Sequence, residues 1–251
     1  MKCPNCKKEV DKGNVFCEYC GAKLPRIKLR ITIVVIMLLL ITIPLVYYKY
    51  NQTQQKREEN RVLELRAVED ARLKAAANGY KYVDLGLPSG VRWAACNVGA
   101  SSPEEYGKYY AWGEIATKKS YKDKNSITYG KAIDDISGNP EYDVANANWG
   151  GSWRLPTKSE MDELKNKCTW TWTTQGANCG YKVTGPNGNS IFLPVAGYYG
   201  LSLKEKGYRG YYWTSTPSDD NSAYHLNIKD GSVLVYTLHR HYGRSVRPVI
   251  K

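Results

Sequence analysis

Residues 79–251 predict an α+β fold on three observations. Short extended runs are punctuated by Gly and Asn, two stretches carry the side-chain pattern of a capped helix start, and Asn187-Gly188 and Asp230-Gly231 mark tight turns between apolar runs. With 42% hydrophobic and 24% charged residues, the 251-residue chain has enough apolar material to exclude wholesale disorder. Twenty-one Tyr and seven Trp stand against two Phe, which predicts an interior rich in polar handles.

The preceding 78 residues obey other rules. Cut by composition, the chain has a head (1–30, net +5), an uncharged run (31–48), a charged stretch (49–78, net +2) and the remainder (79–251, net +5), so the total of +12 is spread over four environments. None of the four reads as a nucleic-acid-binding tail, and nucleic acid is not an expected partner.

In the head, Cys3-Pro4-Asn5-Cys6 and Cys17-Glu18-Tyr19-Cys20-Gly21 form two C-x2-C pairs. Two intervening residues let both thiolates of one turn reach a single ion, and two such turns complete a tetrahedral site. Residues 1–25 therefore predict a zinc ribbon with Cys3, Cys6, Cys17 and Cys20 as ligands. The zinc is structural, because the protein fills all four positions. Thirty residues cannot build a core alone, so folding of the head should depend on the metal. Lys7 stands where Gly21 stands after the second pair. Whether the ribbon has a partner is open.

The run ITIVVIMLLLITIPLVYY, residues 31–48, spans about 27 Å as a helix and matches a bilayer core. The overall mean hydropathy of −0.52 hides it. A signal peptide has a shorter apolar region ahead of a small-residue cleavage site, whereas this run ends in Pro44-Leu45-Val46-Tyr47-Tyr48-Lys49. We expect one retained transmembrane helix over 29–48, with Tyr47, Tyr48 and Tyr50 as interfacial anchors. Lys23, Arg26, Lys28 and Arg30 precede the run, while Lys49, Lys56 and Arg57 follow it, the last two beside Glu58 and Glu59. This bias predicts a single-pass protein with a cytoplasmic N-terminus and an extracytoplasmic C-terminal domain, in an inner membrane facing the periplasm.

Residues 49–78 are rich in helix formers and close on Asn78-Gly79. Val62, Leu65 and Val68 do not sustain a heptad, so a solvated helical stalk is expected rather than a dimerising coiled coil.

Within 79–251, Ser102-Pro103-Glu104-Glu105 and Thr157-Lys158-Ser159-Glu160 predict helix starts, the second backed by Met161 and Leu164. Trp170 and Trp172 alternate with Thr and fall on one face of a strand. Runs 181–184 and 190–193 flank Asn187-Gly188 as a hairpin, and 211–214, 224–228, 232–238 and 244–249 read as further strands.

The stretches YVDLGLPSG (82–90), WAACNVGA (93–100), YAWGE (110–114), WRLPT (153–157), GYKVTGPNGNSIFLP (180–194), YWTST (212–216) and SVRPV (245–249) carry a resemblance. They look like the Fibrobacter succinogenes major paralogous domain, common in Bacteroidetes surface and cell-envelope proteins, and the match covers roughly 80–251. The resemblance implies a C-type-lectin-like fold, shared with formylglycine-generating and sulfatase-modifying enzymes. Fold does not give activity.

The formylglycine-generating relatives use a late pair of cysteines, and here no Cys follows Cys179. Gly185-Pro186-Asn187 lacks the carboxylate of a calcium-sugar motif. His239 and His241 fall on one face of a strand, a geometry that could share a metal with His225 on a neighbouring strand as a third ligand, but alternating polar residues on a solvated strand face are the commoner case. Cys96, Cys168 and Cys179 read equally as one disulfide (Cys168 with Cys179) plus a thiol or as three buried thiols. Trp93, Trp153 and Trp213 read as core, and Tyr198, Tyr199, Tyr208, Tyr211 and Tyr242 as a recognition face. The function expected is that of a non-catalytic, membrane-anchored binding protein whose outer domain recognises a protein or glycan ligand. The alternatives are an envelope enzyme on the sulfatase-modifying fold, or a membrane-tethered regulator acting through the ribbon.

Overall fold

Two short hairpins with matching hydrogen bonds build the N-terminal ribbon. Cys3 N donates to Lys8 O at 2.9 Å and Lys7 N to Cys3 O at 2.9 Å; in the second hairpin Cys17 N donates to Ala22 O at 2.8 Å and Gly21 N to Cys17 O at 2.8 Å. The turn after each cysteine pair needs a left-handed residue, met by Gly21 at φ 70° and by Lys7 at φ 60°. Val10, Leu24, Cys3 and Cys17 are the buried centre, a core too small to hold without a further cross-link.

The computed structural model describes residues 1–25 and 27–251, and only the backbone of 27–30. It divides into two units, Met1–Ala67 and Val68–Lys251. Arg26 and the side chains of Lys28 and Arg30, on which the orientation argument draws, lie outside the described residues.

Helix α1, Ile27–Ala76, runs without a break through the apolar run and the charged stretch. Its apolar side chains from Ile31 to Tyr48 are 48–67% exposed on every side of the helix. Thr42 Oγ1 returns its proton to Leu38 O at 2.9 Å, which spares the run an unpaired hydroxyl. The segment is long and apolar enough to cross a membrane and is a candidate span. Asn78 (φ 46°) and Gly79 (φ 81°) end the helix in the left-handed region.

In the unit Val68–Lys251, the last turn of α1 is part of the core. Leu73 and Ala77 are buried among Trp149, Trp153 and Val144. Trp153 Nε1 donates to Ala77 O at 2.7 Å, Asn78 Nδ2 to Trp149 O at 2.8 Å, and the Tyr80 ring stacks on Trp149 at 4.0 Å. Gly151 permits the approach: a Cβ there would lie 2.0 Å from Ala76 O.

Strand β1 (Tyr82–Asp84) pairs with β2 (Arg92–Ala94), which also pairs with the final strand. Helix α2 (Val144–Trp149) is capped by Asp143, whose carboxylate accepts from Ala145 N at 2.9 Å and Asn146 N at 3.3 Å. Helix α3 (Lys158–Lys167) starts in the capping box read from the sequence. Thr157 Oγ1 accepts from Glu160 N at 3.2 Å and Glu160 Oε2 from Thr157 N at 2.9 Å, while Met161 and Leu164 face the core.

Strands β3 (Thr169–Gln175), β4 (Asn178–Thr184) and β5 (Ser190–Pro194) form an antiparallel sheet, with Trp170 and Trp172 both edge-on to Tyr181. After the short pair β6 (Tyr198–Tyr199) and β7 (Leu203–Lys204) comes the sheet β8 (Gly210–Pro217), β9 (Ser222–Lys229), β10 (Ser232–His239). Strand β11 (Val249–Ile250) returns to β2, pairing Val249 with Trp93. The unit is thus mixed helix and sheet.

Two sequence expectations fail here. Residues 102–105 make a turn, not a helix: the Glu105 carboxylate reaches back to Ser101 N at 2.6 Å, and the chain must reverse at Gly107 (φ 73°) so that Lys108 N meets Val98 O at 2.9 Å. In 244–249, extended pairing is limited to single bridges, Arg244 to Tyr110 and Ser245 to Tyr212, before β11 begins at Val249. The reason is that Arg244 and Arg247 turn inward to different partners.

Candidate functional site

The four head thiols converge. Their Sγ atoms lie within 4.8 Å of one another, with Cys3 and Cys20 at 3.6 Å and Cys6 and Cys17 at 3.5 Å. Tetrahedral zinc at about 2.3 Å from each sulfur sets sulfurs about 3.8 Å apart, so the group fits zinc. Backbone N–H groups aim at the sulfurs. The Ala22 backbone above all, with the neighbouring sulfurs helping, brings the Cys20 thiol down to about 6, and the Cys6 backbone lowers Cys3. For Cys6 the Lys8 backbone also pulls downward, but burial and three adjacent sulfurs outweigh it and push the thiol up to about 12. Four thiolates this close cannot all ionise without a cation among them. Asn5 Nδ2 donates to Cys20 Sγ at 3.7 Å and orients that ligand.

The second cluster is aromatic. Tyr199 N donates to Gly243 O and Gly243 N to Tyr199 O, both at 2.8 Å, which ties β6 to the loop after β10. That bridge brings Tyr198 edge-on to Tyr242 (5.4 Å) and to Tyr211 (5.4 Å). Of the five tyrosines read as a recognition face, Tyr198, Tyr211 and Tyr242 come together. Tyr199 turns to Tyr109 and Tyr121, at 5.9 and 5.6 Å, and Tyr208 stands apart, 60% exposed. Tyr211 is only 4% exposed and lines the cluster from beneath, its hydroxyl donating to Glu205 Oε2 at 2.6 Å. Burial and that carboxylate push its phenol up to about 12. Sequence alone did not separate it from its neighbours, because β8 is buried on both faces along 210–215.

The histidines do not form a metal site. His225 pairs across the sheet with Trp213 and Tyr236, whereas His239, the last residue of β10, and His241 just after it stack on each other at 5.6 Å. Among the described residues, the four cysteines are the only cluster of three or more such ligands close enough for one ion. Burial first, then the Arg244 charge, hold His225 far below the usual imidazole range, so it is neutral. All seven cysteines are free; Cys96 and Cys168 are raised chiefly by burial, Cys168 to about 11, so neither is a poised thiolate.

Missed by sequence reading are three buried arginines near the end of the chain. Arg240 stacks on Trp112 at 4.2 Å and donates to the carbonyls of Lys131 (2.9 Å), Ser222 (3.2 Å), Thr128 (3.3 Å) and Asp219. Arg247 donates to Asn97 Oδ1 (2.8 Å) and to the carbonyls of Ala95 (2.6 Å), Phe192 (2.9 Å) and Ala94 (3.0 Å). Arg244 stacks on Trp213 at 4.4 Å and Tyr211 at 5.1 Å. A shallow groove bounded by Ala95, Gln175, Lys182 and Phe192 contributes one charged side chain and no acid–base pair.

A family model described as a zinc-ribbon domain matches residues 1–24, and one described as a domain of unknown function (DUF8237) matches residues 167–249. No curated protein and no solved structure matches the chain. The head is thus similar to zinc ribbons in sequence, its four sulfurs lie close enough together to share one ion, and the second match takes in the tyrosine cluster and the buried arginines.

Proposed function

We propose that the chain is a single-pass membrane protein whose C-terminal unit is a non-catalytic, C-type-lectin-like binding module, with zinc as the structural ion of a cytoplasmic ribbon. The observation that carries this reading is the tyrosine cluster: Tyr198 on β6 and Tyr242 in the loop after β10, half-exposed and tied together by the Tyr199–Gly243 bridge, are backed by the buried Tyr211. Aromatic side chains with a polar tip, fixed by a scaffold, give contact area at little entropic cost, which suits recognition of a protein or glycan. The apolar stretch of α1, exposed on every side, supports the anchor, since lipid is the solvent that such a surface matches. The outward placement of the C-terminal unit rests on the excess of basic residues before the run.

Recognition is tested by presenting the zinc-loaded full chain in detergent micelles to an array of envelope glycans and peptides, beside a Tyr198→Ala/Tyr242→Ala variant. A ligand retained by the parent and lost by the folded variant is the expected result. Equal retention by both removes the tyrosine cluster from the account.

A further inference from the structure

Arg240, Arg244 and Arg247 are all buried, but they are not equivalent. Backbone carbonyls wrap the guanidinium of Arg240, and carbonyls together with Asn97 wrap that of Arg247. Arg244 is 0% exposed, and its Nε, Nη1 and Nη2 have no hydrogen-bond acceptor among the described residues. Its neighbours are rings: Trp213 at 4.4 Å, Tyr211 at 5.1 Å, and Tyr198, Tyr236 and Tyr242 close enough for their phenols to act on its charge. Stacking on rings offsets part of the cost of burying a cation, and a cation without hydrogen bonds retains the larger part.

The same face of the sheet carries further unpaired polar groups. Asn227 lies across from Tyr211 and its Nδ2 is without a partner; His225, across from Trp213, makes no hydrogen bond through either ring nitrogen. The opposite face of these strands, with Tyr212, Leu226 and Ile228, belongs to the apolar core. The unpaired groups are mainly donors, and their complement is an anion. Glu205 does not serve, since Tyr211 and Arg209 engage its carboxylate. The site presents one cation with a planar fork between flat rings, and His225 beside it is neutral. One planar monoanion balances that charge, which favours a carboxylate over a phosphate dianion.

We propose that Arg244, with Asn227 as a further donor, is a closed carboxylate-binding site beneath Tyr198 and Tyr242, entered when these half-exposed rings swing aside. This inference rests on the recognition reading and names the chemistry its ligand must carry: a carboxylate on a small body, whether an acidic sugar or a peptide C-terminus.

The probes are glucuronate and N-acetylglycine, with glucose and N-acetylglycinamide as neutral counterparts, added at constant ionic strength to the zinc-loaded full chain in micelles. The readouts are tryptophan fluorescence, since Trp213 lies against Arg244, and the melting temperature. The expected result is a saturable fluorescence change and a raised melting temperature with one or both carboxylates and not with their neutral partners, the affinity falling about tenfold or more in Arg244→Gln and less in Arg244→Lys. Which carboxylate responds tells sugar from peptide. If Arg244→Gln does not fold, the parent decides alone. No response to either carboxylate, an equal response to the neutral partners, or undiminished binding in folded Arg244→Gln overturns the proposal. Array ligands retained through Tyr198 and Tyr242 with no carboxylate response leave the recognition reading standing and remove this one.

Discussion

Arg247 Nε donates to Asn97 Oδ1 at 2.8 Å across 150 residues of sequence, inside a core from which water is excluded. With Ala94, Ala95 and Phe192 supplying carbonyls, the guanidinium staples the loop after β2 and strand β5 to the end of the chain. Arg247→Gln leaves several of these acceptors unpaired and should destabilise the C-terminal unit by about 3–5 kcal/mol. Urea denaturation followed by tryptophan fluorescence measures this; a loss below about 1 kcal/mol would show that the network is not cooperative.

Lys7 at φ 60° occupies a backbone region that favours glycine, and Gly21 fills the equivalent place at φ 70°. Lys7→Gly relieves strain of about 1–3 kcal/mol, partly offset by about 0.4–1 kcal/mol of extra freedom in the unfolded chain. Zinc affinity, measured by chelator competition, should rise severalfold, and Gly21→Lys should lower it.

Removing zinc, or substituting Cys17→Ser, should unfold residues 1–25 and leave the tryptophan-rich unit intact. Hydrogen exchange separates the two. Protection that persists in the stripped head would mean that its four-residue core suffices alone.

Arg154 forks onto Glu160 with bonds of 2.8 and 2.6 Å at the start of α3. Burial pushes the Glu160 carboxyl up, but Arg154 and the Thr157 N–H outweigh it, and the folded value lies below the ordinary 4.5. A lowered carboxylate adds stability that is complete above the unfolded value and lost as pH falls through the folded one. The melting temperature should therefore fall on acidification below about 4.5, and Glu160→Gln should flatten that part of the profile while costing about 1–3 kcal/mol at neutral pH.

Gly151→Ala places a Cβ 2.0 Å from Ala76 O at a residue of φ 60°. The last turn of α1 should lose its seat against Trp153, exposing Leu73. A measurable drop in melting temperature and faster exchange at Ala77 are the expected signs; an unchanged melting temperature would mean that this seat contributes little.

Local chemistry was legible in the chain itself. The cysteine pairs, the uncharged run, the Thr157 capping box and the Asn187-Gly188 and Asp230-Gly231 turns each act over a few residues, and each appears at its place. What stayed hidden depends on partners far away in sequence. Ser102-Pro103 has a helix-start pattern, but the chain reverses at Gly107 so that Lys108 N can meet Val98 O, and Leu73 reads as stalk until Trp149 and Trp153 cover it. Nothing in the sequence singles out Arg240, Arg244 and Arg247, because only the fold reveals which carbonyls, or which rings, surround each of them.

The proposed arrangement is an anchored module with its binding unit outside. Proteolysis of intact spheroplasts carrying the chain, followed by alkaline extraction of their membranes, tests it most directly. The account predicts a carbonate-resistant fragment containing Cys3 to Cys20 that stays protected, while residues 79–251 are open to protease or, if their fold resists cleavage, are released by cutting the stretch 49–67. Extraction of the whole chain by carbonate, or a C-terminal unit protected until the cells are lysed, would contradict it.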